Sequence, residues 1–397
     1  MTDVRTILHV DLDAFFCSVE EILQPHLRGK AFVVGGTPEG RGVVASASYA
    51  AREYGVHSAM PTAQALRLAP DLIVVSGRHH LYSEYSRKVM LILREKAPLM
   101  QQLSIDEAFL DVTGVSEPGE EIARNLQKRI LDKHDLPTSW GIASNKLVAK
   151  IATEVGKPAG VVLVPPGEEA KFLAPLDVRM LWGVGPKTEA RLAEVGVETI
   201  GDLASLSSDL LQQRFGEHGL ELASRARGED DRPVVEERDP RSISAERTFP
   251  TDISDPVEVH QKILRLSEQV GRKLRNEERM GWTVKLKLRW PDFSTITRQT
   301  KLGQPTDRVD EIFSTALGLL DQVWMQGKPL RLIGVGVSEL VEPQRQLELF
   351  DRTWEEYERL QAAIDDIRER YGPDSVRRAG GLSSVFSEDD NEPGDEA

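Results

Sequence analysis

The chain has 397 residues, 40 % of them apolar and 29 % charged, with one cysteine and a formal net charge of −14. That length allows about two to four domains with real cores, the lone Cys17 excludes an intrachain disulfide, and no apolar run approaches a membrane span. The acidity is uneven: residues 342–397 hold 16 acids and 7 bases whereas residues 242–341 hold 13 acids and 15 bases, so local patches can still meet nucleic acid.

The start, Met1–Arg5, lacks a basic stretch followed by an apolar one, so no signal peptide is expected and a reducing, cytoplasmic location is. Ile7-Leu8-His9-Val10-Asp11-Leu12-Asp13 is apolar and β-prone, yet carries carboxylates. Alternate strand residues share a face, so Asp11 and Asp13 are expected to project together. Ala14–Glu21 reads as a helix that Pro25 closes. On it Phe16 suits either a ring pressed against a bound sugar, with no room for a 2′-hydroxyl, or an ordinary core position.

Residues 31–36 and 42–46 predict a β-hairpin, and a helix from Ser48 is ended by Gly55. Tyr49 and Arg52 share one face of it. Together they fit a triphosphate, and equally a solvated Arg beside a packing Tyr. Pro61–Leu68 predicts a short helix, Asp71–Val75 a strand, and Tyr82–Lys96 a helix whose Tyr85, Val89, Ile92 and Leu93 pack behind a sheet.

Ser104–Val112 is a second acidic strand. Adjacent Asp106 and Glu107 face opposite ways unless the strand bends or ends there, which places a site at a strand tip or turn. If this strand pairs with the first, Asp11 and Asp106 come close, and two such charges repel by roughly 4 kcal/mol at an effective dielectric near 20. A cation between them is expected. Oxygen-only ligands suit a hard ion such as Mg²⁺, and the chemistry is then phosphoryl or nucleotidyl transfer with two metals. Turn-capping or solvent-facing carboxylates are the plain alternative.

A helix near Glu120–Asp132, a strand Thr138–Ser144 and a helix Asn145–Val155 follow, and the two β-α-β passes suit a ferredoxin-like sheet. Lys157, in the next loop, suits a phosphate contact or simple solvation. Leu181–Leu192, with Gly183-Val184-Gly185 before a helix, reads as a helix-hairpin-helix whose backbone N–H groups meet phosphate, or as a plain interhelical loop. The charged run 229–241, with two prolines, reads as an interdomain linker. In Val284–Trp290, alternation puts Val284, Leu286, Leu288 and Trp290 on a core face and Lys285, Lys287 and Arg289 on the other. That basic face suits a nucleic-acid backbone or a merely soluble sheet surface. Trp354, Tyr357, Leu360, Ile364 and Ile367 follow helical spacing, with no packing partner evident.

Taken together, Asp11-Leu12-Asp13-Ala14-Phe15-Phe16-Cys17-Ser18-Val19-Glu20, Ser48-Tyr49-Ala50-Ala51-Arg52 and Leu103-Ser104-Ile105-Asp106-Glu107-Ala108-Phe109-Leu110-Asp111 closely resemble the Y-family translesion DNA polymerases, in particular the bacterial DNA polymerase IV type. Asn145-Lys146, Lys157-Pro158, the Gly183–Gly185 hairpin and Ser242–Phe249 extend the resemblance over roughly residues 5–341. It implies an α/β multidomain, right-hand polymerase. Its parts are a ferredoxin-like palm (1–20 and 75–165), small fingers (21–74), a helical thumb with the helix-hairpin-helix (166–232), a linker (233–241), an α+β little-finger domain (242–341) and an acidic tail (342–397).

The resemblance further implies that Asp11, Asp106 and Glu107 are the catalytic, metal-binding triad for two Mg²⁺ ions, with the Leu12 carbonyl as a further ligand. Phe16 matches the gate against ribonucleotides; Tyr49, Arg52 and Lys157 match triphosphate contacts, and Ala45, Ser46 and Ala59 fall beside the nascent pair. Gly183, Gly185, Lys187, Lys285, Lys287 and Arg289 are the expected DNA contacts. Gln346, Leu347, Leu349 and Phe350 resemble the motif by which bacterial polymerases bind the sliding clamp, although that motif is usually terminal and here 47 residues follow it. The implied activity is error-prone, template-directed addition of deoxynucleotides to a primer 3′ end, without proofreading, by a monomer that meets no membrane. Two rivals are weaker: a catalytically silent adaptor would have lost the carboxylates, and a nucleotide cyclase needs no duplex grip.

Overall fold

The structure, a computed structural model of the chain, describes residues 5–236, 239–343, 353–372 and 375–376. The described residues divide into two compact units: 5–38 with 42–236, and 39–41 with 239–343, 353–372 and 375–376.

The first unit opens with β1 (Ile7–Leu12) and α1 (Phe15–Leu23). Strands β2 (Phe32–Gly35) and β3 (Val44–Ala47) form the expected hairpin, and after α2 (Tyr49–Arg52) and α3 (Thr62–Leu68) strand β4 (Ile73–Val75) completes a small sheet of order β3-β2-β4. The helix expected from Ser48 to Gly55 is only the four residues of α2. Ser48 caps it through the Ala51 N–H, and Gly55 turns the chain at φ +80°.

Helix α4 (His79–Arg94), hairpin strands β5 (Leu99–Gln102) and β6 (Glu107–Asp111), α5 (Gly119–His134), β7 (Thr138–Ala143), α6 (Lys146–Gly156) and β8 (Val161–Leu163) complete a sheet of order β5-β6-β1-β7-β8. β1 is antiparallel to β6 and β7, and β5 to β6. The passes from β1 to β5 and from β6 to β7 each return with one strand between their ends, the ferredoxin-like order expected from the sequence, and β8 adds a parallel strand directly beside β7.

Both faces of this sheet are covered, so all six residues of β1 are buried. Leu8, Val10 and Leu12 pack with Tyr82, Val89 and Leu93 of α4 and Leu126 of α5. Ile7 and Phe109 lie on the opposite face, with Leu147, Val148 and Ile151 of α6. Because alternate residues share a face, His9, Asp11 and Glu107 are carried to the α6 side too. Helix α6 sits close because β7 has Gly141, where a Cβ would lie 2.0 Å from the Ala149 carbonyl oxygen and 2.6 Å from the Thr153 nitrogen. Both atoms are backbone and the helix would have to move. Gly141→Ala is expected to cost on the order of 3 kcal/mol, read as a lowered melting temperature; an unchanged one would show that α6 is not seated this closely.

Helices α7 (Glu169–Leu173), α8 (Pro186–Ala193), α9 (Ile200–Ser205), α10 (Ser208–Phe215) and α11 (Glu217–Ala226) follow. The hairpin is present in shortened form: a single 3-10 turn, Val178–Met180, stands where the first helix was expected. Gly183 turns at φ +105°, and a Cβ there would meet the Arg225 guanidinium at 2.9 Å, so glycine is required. The charged run beyond, read from sequence as a linker, begins docked. Asp230 accepts the Leu147 N–H at 3.0 Å, Lys146 donates to the Pro233 carbonyl at 3.1 Å, and Val234 is buried.

The second unit is an antiparallel sheet of β9 (Ser242–Ile253), β10 (Met280–Arg289), β11 (Thr295–Thr306) and β12 (Leu330–Val341) in the order β11-β10-β12-β9. Helices α12 (Pro256–Asn276) and α13 (Val309–Asp321) cover it: Ile263, Val270, Ile312 and Leu319 pack on Val284, Leu286 and Leu288, the face that alternation gave. Of the three cations opposite, Lys287 pairs with Glu246 at 2.7 Å and Arg289 donates to Thr295 Oγ1 at 2.9 Å. Helix α14 (Thr353–Tyr371) docks on α12 through Arg275–Asp365 at 2.9 Å and Arg368–Glu268 at 3.3 Å, while Leu360 and Ile367 of its apolar stripe are exposed. Gln346, Leu347, Leu349 and Phe350 lie outside the described residues. No helix among the described residues is long and apolar enough to cross a membrane.

Candidate active site

Asp11 and Glu107 are direct partners across the β1–β6 ladder. The acidic strand starts only at Glu107, because Ser104 folds the preceding residues into a turn. Its Oγ accepts the N–H groups of Asp106 and Glu107 at 3.3 and 3.1 Å and donates to Asp106 Oδ1 at 2.5 Å. The Leu12 N–H donates to the Asp106 carbonyl at 3.0 Å, closing the tip. The conflict in alternation is thus resolved at a strand end, as the sequence required.

The expected pairing of Asp11 with Asp13 does not occur. β1 stops at Leu12 and Ala14 takes a left-handed conformation at φ 44°, so the chain turns and Asp13 is fully buried elsewhere. Asp13 accepts from Ser139 Oγ at 2.8 Å, from the Tyr49 hydroxyl at 3.2 Å and from the Ala159 N–H at 2.8 Å. It ties β7, α2 and the loop after α6 together.

Each carboxylate at the tip has its own partner. Asp106 has Ser104, Glu107 has the Lys150 ammonium, and Asp11 has Lys157 at 3.0 Å, which also reaches Glu154 at 2.7 Å. Among the described residues no three His, Cys, Asp or Glu side chains converge tightly enough to hold a metal together. Burial pushes the Asp11 carboxyl up to about 7 against the pull of Lys157. Burial works to raise Glu107 as well, but the Lys150 ammonium outweighs it and holds that carboxyl well below the usual range. Asp11, Leu12 and Asp106 line one cavity, and such an all-oxygen donor set suits a hard divalent cation.

His9 lies beneath the pair. Thr153 Oγ1 donates to the Ala149 carbonyl at 3.0 Å and so accepts from His9 Nδ1 at 2.9 Å. His9 Nε2 has no hydrogen-bond partner, being 3.7 Å from Glu107 Oε2. Burial lowers this imidazole to about 4, so it is neutral at pH 7.

Asp11, Leu12, Asp106, Phe16, Arg52 and Lys157 line one cavity of about 180 Å³, together with Ala45 and Ser46. The Phe16 ring is fixed there, stacked on Tyr82 at 4.4 Å and 15° with the His79 edge at 5.6 Å. Tyr49 sits behind: its hydroxyl goes to Asp13, and its ring carries the Arg52 guanidinium at 4.8 Å, whose Nε donates to the Ala47 carbonyl at 3.1 Å. On the other side of Asp11 a larger cavity of about 620 Å³ is lined by His9, Glu107 and Lys150 and by Trp182 and Gly183 of the hairpin. Gly185 and Lys187 are exposed at the start of α8, beside it in sequence.

The residues missed in the sequence are Asp13 in its tying role, Ser104, His9 and Lys150. A signal for the last existed. Lys146, Lys150, Thr153 and Lys157 recur at steps of four, three and four, a polar stripe along one face of an otherwise apolar helix.

Comparison with known proteins decides what this tip belongs to. The chain matches the impB/mucB/samB family over residues 10–154, the C-terminal domain of that family over 240–349, and a DNA polymerase-iota thumb domain over 179–230. A DNA polymerase IV of Dehalococcoides mccartyi strain CBDB1 is 44 % identical over 378 residues, covering 94 % of this chain and 97 % of the relative. The chain belongs to the Y-family DNA polymerases, DNA polymerase IV type. One from Streptomyces coelicolor is 46 % identical over 348 residues, covering 86 % of this chain and 72 % of the relative. Among solved structures, a Y-family polymerase chimera of Dbh and Dpo4 matches with a TM-score of 0.75 and 29 % identity over 85 % of this chain and 100 % of its own. An insertion ternary complex of Dbh DNA polymerase matches with a TM-score of 0.61 and 30 % identity over the same shares. The protein is therefore a DNA-directed DNA polymerase of the translesion class, with the right-hand fold of that family.

Proposed function

We propose that this polymerase works by two-metal nucleotidyl transfer at the strand tip, and that its parts are the palm, fingers, thumb and little finger at the boundaries read from the sequence. The incoming deoxynucleoside triphosphate enters the smaller cavity. Arg52 and Lys157 bind its phosphates, Tyr49 holds Arg52 in place, and Ala45 and Ser46 border the base pair. Phe16 backs the sugar and leaves no space for a 2′-hydroxyl. The primer 3′-oxygen bonds to the α-phosphorus, the bond from that phosphorus to the β-phosphate oxygen breaks, and pyrophosphate leaves. Asp11, Asp106, Glu107 and the Leu12 carbonyl would hold two Mg²⁺ ions, which supply charge neutralisation at the reacting phosphate and lower the pKa of the attacking hydroxyl.

The observation that carries this reading is the meeting of Asp11, Asp106, Arg52, Lys157 and the fixed Phe16 ring around one cavity at the strand tip. A solved relative is described as an insertion ternary complex, which supports primer–template DNA and a nucleotide as the ligands. Gly183, Gly185 and Lys187 of the hairpin and Lys285, Lys287 and Arg289 of β10 hold the duplex. The polymerase acts as a monomer and without proofreading. Primer extension with Mg²⁺ and with EDTA tests it: extension is expected only with the metal, and extension in EDTA would contradict it.

Gln346, Leu347, Leu349 and Phe350 are proposed to bind a sliding clamp, one polar and three apolar anchors in a short peptide. Replacing Leu349 and Phe350 with Ala is expected to remove clamp-stimulated synthesis and to spare distributive extension of a short primer. Clamp binding that persists, or loss of basal activity, would show a structural segment instead.

A further inference from the structure

Asp11 and Glu107 are opposite one another on one face of an antiparallel pair, where opposed side chains are near neighbours and like charges repel. The two are neutralised by different cations. Lys157 serves Asp11, and Lys150, from α6, serves Glu107. His9 adds no hydrogen bond to that carboxylate, since its Nε2 is 3.7 Å away and without a partner.

The Lys150–Glu107 pair is not sealed in the core. The two side chains are 30 % and 23 % exposed, and both line the 620 Å³ cavity, so the ammonium has room to leave without disturbing α6. Lys146, one turn earlier on the same stripe, differs: it is buried, donating to Gln101 Oε1 at 2.7 Å and to the Pro233 carbonyl at 3.1 Å. One lysine of the stripe is built into the structure and the next is placed at a carboxylate facing open space. An ammonium and a divalent cation cannot both sit in contact with the same carboxylate oxygen without strong mutual repulsion.

We propose that Lys150 is an exchangeable counter-ion: it neutralises Glu107 in the cation-free polymerase and gives that carboxylate up when a divalent cation binds. The inference rests on the metal-site reading above. It makes Lys150 a positioning residue that keeps Glu107 in place and charged beside Asp11 between catalytic cycles.

The test is thermal unfolding of the full chain, wild type and Lys150→Met, in EDTA and in saturating Mn²⁺, with Mn²⁺ binding followed by electron paramagnetic resonance. In EDTA the variant is expected to melt about 3 °C lower, and the gap is expected to close in Mn²⁺. The variant is also expected to bind Mn²⁺ about tenfold more tightly, having lost a competing cation. In a Glu107→Gln background the substitution is expected to have no effect on melting in EDTA. If Lys150→Met does not fold in EDTA, Lys150→Gln is read by Mn²⁺ affinity alone, with the same tightening expected. A melting gap equal in both media, or Mn²⁺ binding unchanged or weakened, would overturn the exchange. A wild type that takes up no Mn²⁺ would overturn the metal-site reading, and the exchange with it.

Discussion

Asp106→Ala and Glu107→Ala are each expected to abolish primer extension while leaving primer–template binding largely intact. The expected loss is about a thousandfold or more, since stabilisation of transition-state charge at such a site is worth several kcal/mol and each 1.4 kcal/mol is a factor of about ten. Duplex affinity is expected to come from phosphate contacts on other elements, the hairpin before α8 and the basic face of β10, and to depend on salt rather than on the carboxylates. The two variants also differ in a way the structure specifies. Asp106→Ala removes only a contact to Ser104, whereas Glu107→Ala strands the Lys150 ammonium. Incorporation by either variant within tenfold of wild type, or duplex binding lost along with extension, would contradict the assignment.

Phe16→Ala is expected to raise ribonucleotide incorporation. The Phe16 ring is held by Tyr82, whose hydroxyl donates to buried Glu20 at 2.6 Å, and Glu20 in turn is bound by Arg78. A 2′-hydroxyl cannot push a ring so fixed aside. Forcing an extra atom into a packed site costs about 1–3 kcal/mol, so the ratio of ribonucleotide to deoxynucleotide use is expected to rise roughly five- to 160-fold. The measurement is the kcat/KM ratio for matched nucleotides on one template. An unchanged ratio would show that Phe16 is only a core residue of α1.

The strand tip was legible because its signals are local. Ser104-Ile105-Asp106-Glu107 cannot continue a half-buried strand, and the partner segment carries its own carboxylate at Asp11. Tyr49 and Arg52 likewise met as expected, the guanidinium lying over the ring. What escaped depends on contacts far apart in the chain or on backbone choices with no residue signature. Asp13 left the Asp11 face because Ala14 is left-handed, a conformation that alanine does not advertise. Its partner Ser139 is 126 residues away, and the Asp230 carboxylate that holds the docked run meets Leu147 over 83. Lys150 escaped for a different reason. Its stripe was visible on α6, but only the register of Glu107 against Asp11 shows what the stripe faces.

The most direct measurement is single-nucleotide extension by the purified chain, with Mg²⁺, on four primer–templates that differ only in the templating base. One nucleotide should be added in each case, complementary to the template, and none by an Asp106→Ala protein prepared in parallel. The same nucleotide added on all four templates, or equal extension by the Asp106→Ala protein, would contradict template-directed synthesis at this strand tip.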